Sequence, residues 1–107
     1  MVNYKNYQVW QRSHKLVLSI YATTKTYPKA EQFGLVSQIN RAALSILTNI
    51  AEGCGRETQK ELIRFLYISS GSTHESDYLI LASKELRFID EEKLNLILSE
   101  IDEIKKC

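Results

Sequence analysis

Breakers of regular structure are scarce in this chain. Its 107 residues hold one proline and four glycines, at Pro28, Gly34, Gly53, Gly55 and Gly71. Long unbroken stretches favour helices over short strands. No Asn-Gly or Asp-Gly pair separates alternating apolar runs, so no β-hairpin is signalled.

The spacing of apolar residues between these breaks is helical. Val9, Leu16, Val17, Ile20, Thr24 and Tyr27 recur at steps of three, four and seven, a stripe that Pro28 ends. Leu35, Ile39, Ala42, Ala43, Ile46 and Ile50 form a second stripe, with Gly53 as a left-handed residue closing the helix. Thr58-Gln59-Lys60-Glu61 fits a capping box, and a third stripe follows it: Leu62, Phe65, Leu66, Ser69, Thr73, Ser76, Ile80, Ser83 and Arg87. Small residues from Ser69 to Ser72, Gly71 included, would let a neighbouring helix approach. Asp90 caps the fourth segment, striped by Leu94, Ile97, Leu98, Ile101 and Ile104 or Lys105. The reading is four helices near 8–26, 32–52, 58–87 and 91–105, all-α, joined by short connections into an antiparallel up-down-up-down four-helix bundle.

Apolar residues make up 44% of the chain and charged residues 25%, enough for a core and too few charges for disorder. One domain over 1–107 fits that length. Cys54 and Cys107 are the only cysteines, too few for a disulfide framework or an unaided four-ligand zinc site. The longest apolar run, Tyr78 to Ala82, is far short of a membrane span, and the first seven residues carry no signal-peptide core. The expectation is a cytoplasmic protein.

Catalytic signals are weak. Gly53-Cys54-Gly55-Arg56-Glu57-Thr58 resembles a fragment of a dinucleotide loop, but it follows a helix rather than a strand. It reads as a tight turn before a helix N-terminus, with Arg56 beside it and Cys54 held in the turn between two glycines. His14 and His74 are far apart, with no nucleophile that the spacing brings to either. His74, Glu75 and Asp77 lack the four-residue ligand spacing of helical metal sites. The expectation is no enzyme, no metal and no cofactor.

Charge and polarity carry more. Residues 1–60 hold eight basic and three acidic groups, a net of +5; residues 61–107 hold six and ten, a net of −4. Lys5, Arg12, Lys15, Lys25 and Lys29 precede the first acid, Glu31. They are the candidate nucleic-acid-binding residues, since a basic surface gains from counterion release on a phosphate backbone. The same asymmetry allows a basic face of one copy to dock an acidic face of the next and close a ring. Scattered solvating charge is the third reading. Gln38, Arg41, Ser45, Asn49 and Glu52 share one face of the second helix, beside its apolar stripe. That strip is either an interface or a solvated surface. Asn49 and Glu52 are placed to hydrogen-bond the loop at Gly53 and to hold Arg56 in a buried or half-buried ion pair, which makes the three mainly structural.

The run Gln38 to Ile46, the block Asn49-Ile50-Ala51-Glu52-Gly53 and Arg56 resemble the signature of the four helix bundle proteins encoded in 23S ribosomal RNA intervening sequences. Val9-Trp10, Pro28, Phe33-Gly34-Leu35, the run Phe65 to Ser72, Glu75 and Leu79 to Ala82 match too, so the resemblance spans roughly residues 7–104. The chain is also similar to the accessory variability proteins of diversity-generating retroelements. It departs from the pattern at Leu47, Thr48, Ser69, Ser70 and Thr73, which bears on the surface of the third helix. The resemblance implies an up-down-up-down bundle, a homopentamer and no enzymatic activity. It marks Gln38, Arg41, Ser45, Asn49, Glu52, Gly53, Arg56, Gly71, Ser72 and Glu75 as a structural or interface motif. In the retroelement relatives it implies a basic scaffold for nucleic acid and a reverse transcriptase. The function expected here is therefore a non-enzymatic oligomeric scaffold binding RNA or DNA through basic residues. The alternative is a protein-interaction module without nucleic acid, partnering for instance a reverse transcriptase or a ribosome-associated factor.

Overall fold

A computed structural model describes residues 3–106. A short 3-10 turn, Tyr4–Asn6, leads into α1 (Gln8–Thr24). A second, Lys29–Glu31, precedes α2 (Leu35–Cys54), then α3 (Gln59–Glu85) and α4 (Glu91–Lys105). The described residues form four helices and no strand, a four-helix bundle. Neighbouring helices run in opposite directions. Thr24 of α1 bonds Asn40 early in α2, Ser69 of α3 bonds Ile46 midway along α2, and Arg12 of early α1 meets Glu103 late in α4.

The core stripes lie where the periodicity puts them. Leu16, Val17 and Ile20 meet Ile39, Ala43, Ile46 and Ile50, then Leu79 and Ile80, then Leu94, Ile97, Ile101 and Ile104. Leu47 joins this core outside the expected stripe. On α3 the buried face is rich in hydroxyls, and each is satisfied locally or across to α2. Thr73, Ser76 and Ser83 donate to carbonyls one turn back at 3.0, 2.9 and 2.9 Å. Ser69 donates to the Ile46 carbonyl at 2.9 Å, and Ser72 to Ser45 Oγ at 2.9 Å. Paired hydroxyls avoid the cost of a buried unsatisfied group and are small enough to bring α2 and α3 close.

The helix ends correct several expectations. α2 starts three residues later than expected, after Gly34, and runs on through Gly53 to Cys54. Gly53 is thus helical, no glycine has a positive φ, and Cys54 is a buried last residue of the helix rather than a turn residue. What Gly53 supplies is room: a Cβ there would lie 2.9 Å from Phe65 Cβ and 3.1 Å from Leu62 Cδ1. Arg87 leaves the third stripe. It stands exposed past α3 at φ 62°, the left-handed position of a Schellman ending, with Phe88 N–H donating to the Ser83 carbonyl at 2.9 Å and Arg87 N–H to Lys84 at 3.0 Å. Thr58 caps α3 by accepting from Glu61 N at 3.2 Å, but the Glu61 carboxylate turns to Arg64 at 2.8 Å instead of completing the capping box. Asp90 caps α4 as expected, accepting from Lys93 N at 2.8 Å.

Candidate nucleic-acid and subunit surfaces

The five basic candidates do not form one patch. Lys5 lies in the first turn, at the α2–α3 end of the bundle, with its ammonium 5.9 Å from the Tyr4 ring centre. Arg12 pairs with Glu103 at 2.9 Å and donates to the Glu103 carbonyl at 3.2 Å, so it ties α1 to α4. Lys15 is exposed midway along α1. Lys25 and Lys29 come together at the opposite end, lining one open groove of about 340 Å³ with Tyr21, Gln32 and Asn40. No acid lines that groove. Asn40 Oδ1 accepts from Thr24 Oγ1 at 3.2 Å, which fixes the amide at the groove wall.

The aromatic residues divide likewise. Trp10 stacks on His14, with ring centres 5.1 Å apart and planes 11° apart, and meets Tyr4 at 5.3 Å. Tyr21 stays exposed in the lysine groove. Phe33, in the connection between α1 and α2, is 93% exposed and escapes a periodicity reading because it lies outside every helix. Its only sequence signal is a large aromatic next to a glycine in a predicted break.

The polar strip on α2 does share one face with α3. Gln38, Arg41, Ser45 and Glu75 line an open groove of about 440 Å³ along the α2–α3 seam. Ser45 is its hub. Its Oγ accepts from Ser72 Oγ and from Asn49 Nδ2, both at 2.9 Å, while Asn49 Nδ2 also donates to the Ser45 carbonyl at 2.8 Å. Asn49 therefore points back along α2 and does not hold the loop, contrary to expectation. Glu52 pairs with Arg56 one turn on, as expected; both side chains are about half exposed, so the pair is not fully buried and carries the modest worth of a surface contact. Arg56 also lies over the Phe65 ring at 4.9 Å. Gly71 faces away from α2, and a Cβ built on it meets nothing within 4 Å. Close approach of α3 to its neighbour rests on Gly53 and the serines instead.

Three titratable groups bear on what chemistry the bundle can carry. The Cys54 thiol is pushed up by burial, with the Tyr7 hydroxyl opposing weakly, and stays protonated. A protonated buried thiol is a poor nucleophile. His74 Nδ1 lies 2.9 Å from the Ser70 carbonyl on an exposed turn. Glu100 of α4 is 9% exposed, and neither carboxylate oxygen completes a hydrogen bond among the described residues. Burial pushes its pKa up; the Ser19 hydroxyl and Lys15 ammonium on α1 oppose this, but Ser19 falls short of acceptable hydrogen-bond geometry. Among the described residues no three His, Cys, Asp or Glu side chains gather to hold a metal ion. No helix among them is long and apolar enough to cross a membrane.

The fold and its surfaces define a small helical bundle with divided basic surfaces and a polar seam between its central helices. The same fold appears in the crystal structure of a Bacteroides thetaiotaomicron protein of unknown function from the S23 ribosomal protein family. It is 24% identical, with a TM-score of 0.80 over 92% of each chain. Curated proteins give no match. The sequence matches the 23S rRNA-intervening sequence protein family over residues 5–107, and the chain belongs to that family.

Proposed function

We propose that the protein is a non-enzymatic, oligomeric scaffold that binds nucleic acid through the α1 end of the bundle. The observation that carries the proposal is the groove in which Lys25 and Lys29 converge beside Tyr21, Gln32 and Asn40, with no acid in its walls. Neither lysine forms an ion pair among the described residues. Lysines so placed neutralise phosphates and release counterions, and an exposed tyrosine ring offers a base a stacking face. The family takes its name from 23S rRNA intervening sequences, which favours RNA as the ligand. The net charge of +1 makes a single copy a weak binder. A ring of five copies, as the family resemblance implies, multiplies that site and converts weak contacts into avidity.

The test is a mobility-shift titration of single-stranded RNA across a salt series, with light scattering on the same samples. The expected result is an oligomer whose affinity falls steeply with salt and drops in the Lys25→Ala/Lys29→Ala variant. A wild-type protein that binds neither RNA nor DNA at low salt overturns the nucleic-acid reading. It would hand the function to protein interaction, the reading that Phe33, 93% exposed, favours.

A further inference from the structure

The lysine groove at the α1 end carries chemistry that a phosphate backbone alone does not use. Its volume of about 340 Å³ is that of a pocket for a small flat group. Lys25 and Lys29 supply its charge, and neither is committed to an ion pair among the described residues. The acid closest to them in sequence, Glu31, does not line it; the Glu31 carboxylate turns toward Gly34, 3.9 Å from where a Cβ would stand there. The rest of the lining is of another kind. Tyr21 presents a ring in a side chain 39% exposed, and Pro28 and Val36 add apolar surface. Asn40 is held by Thr24, which leaves its Nδ2 without an acceptor among the described residues, and the Gln32 amide has no partner there either. A phosphate gains nothing from an aromatic face or an aliphatic floor. A nucleobase uses both, because its faces are apolar and its edges carry donors and acceptors.

We infer that this groove holds one unpaired nucleotide, so that the protein takes single-stranded RNA in preference to duplex. The base lies against the Tyr21 ring and the Val36 surface, the Asn40 and Gln32 amides bond its edge, and Lys25 and Lys29 hold the flanking phosphates. Each amide offers donors and an acceptor, which suits a base edge in either sense. In a duplex the same groups are out of reach: base faces are stacked, edges are paired, and the A-form major groove is too deep and narrow for side chains. Only the two lysines would then engage. On a chain of net charge +1 that is a small attraction, whereas stacking adds a contribution that needs no charge. The inference rests on the nucleic-acid reading above and specifies which form of RNA that site takes.

The experiment is fluorescence anisotropy on the full-length protein with three labelled probes: a short oligouridylate, an abasic strand of the same length, and an RNA duplex of that length. The duplex has the denser phosphate charge, so counterion release alone ranks it first and leaves the two single strands equal. The inference reverses that order. The oligouridylate should bind tightest, by on the order of tenfold or more over the abasic strand, the worth of one base stacked on an aromatic ring. Tyr21→Ala should bring the oligouridylate down to the abasic strand without flattening its salt dependence. Lys25→Ala/Lys29→Ala should weaken all three probes and make the salt dependence shallower. The comparison of the two strands on wild-type protein needs no substitution, so it decides the matter whatever the variants do to folding. An abasic strand or a duplex that binds as tightly as the oligouridylate overturns this inference and leaves a phosphate-binding scaffold standing. A Tyr21→Ala protein that keeps the full advantage of the oligouridylate overturns the placement of the base in this groove. Failure of every probe to bind at low salt overturns the nucleic-acid reading itself, and this inference with it.

Discussion

Replacing Gly53 with alanine sets two effects of known sign against each other. The favourable one is intrinsic: alanine in a helix interior is better than glycine by about 1 kcal/mol. The unfavourable one follows from distances. The new Cβ would stand 2.9 Å from Phe65 Cβ, 3.1 Å from Leu62 Cδ1 and 3.3 Å from the Leu62 carbonyl oxygen. Leu62 Cδ1 can rotate away, but Phe65 Cβ and the Leu62 carbonyl are fixed to the α3 backbone. Relief therefore requires α3 to retreat by several tenths of an ångström along a seam that also carries the Ser69–Ile46 and Ser72–Ser45 hydrogen bonds. Overpacking of this kind costs about 1–3 kcal/mol and loosening two buried hydrogen bonds adds to it. The net expectation is a loss of about 1–2 kcal/mol, or a melting temperature lower by roughly 4–10 °C. Gly71→Ala is the control, because nothing lies within 4 Å of its added Cβ. It should raise protomer stability by about 0.5–1 kcal/mol. Urea unfolding followed by circular dichroism reads both variants against their common parent at one protein concentration. A Gly53→Ala protein as stable as its parent refutes the close approach of α3 as the reason for glycine here.

Three further outcomes follow from single sites. Glu100→Gln should stabilise the protein by about 1–2 kcal/mol at neutral pH, since a buried unpartnered carboxylate costs more charged than neutral. Its folded-state pKa is raised above the ordinary 4.5, so the protonated form favours folding below that value and this stability is lost as pH climbs through the raised pKa. The advantage of the glutamine variant should thus shrink as pH falls through the raised pKa and be gone once pH reaches about 4.5 in a series of urea titrations, and a pH-independent difference would contradict the burial argument. Arg87→Gly should add about 1 kcal/mol by removing the Cβ penalty at φ 62°, as thermal unfolding would report. Glu52→Ala should cost only about 0.3–0.5 kcal/mol, the worth of an exposed pair one turn apart. A melting temperature lowered by more than a few degrees would restore Glu52 to a structural role.

Periodicity, breaks and caps were legible in the amino-acid order because each is a local property. Leu16 and Ile20, or Ile97 and Ile101, share a face by the geometry of any α-helix, and Thr58 and Asp90 cap with atoms only three residues away. The α2 strip from Gln38 to Glu52 was visible on the same ground. Which surfaces meet was not local, and only the tertiary structure decided it. Gly53 and Gly71 look alike in sequence; one faces Phe65 at contact distance and the other faces solvent, because helix α3 presents its serines to α2 and turns Gly71 outward. Lys25 and Lys29 share a groove because the chain reverses at Pro28, while Arg12 is drawn to Glu103, ninety-one residues away, because α1 and α4 pack side by side. The orphaned Glu100 and the left-handed Arg87 belong to the same class. A residue's charge and size are written in the sequence, whereas the cost of its position depends on neighbours that packing brings from distant parts of the chain.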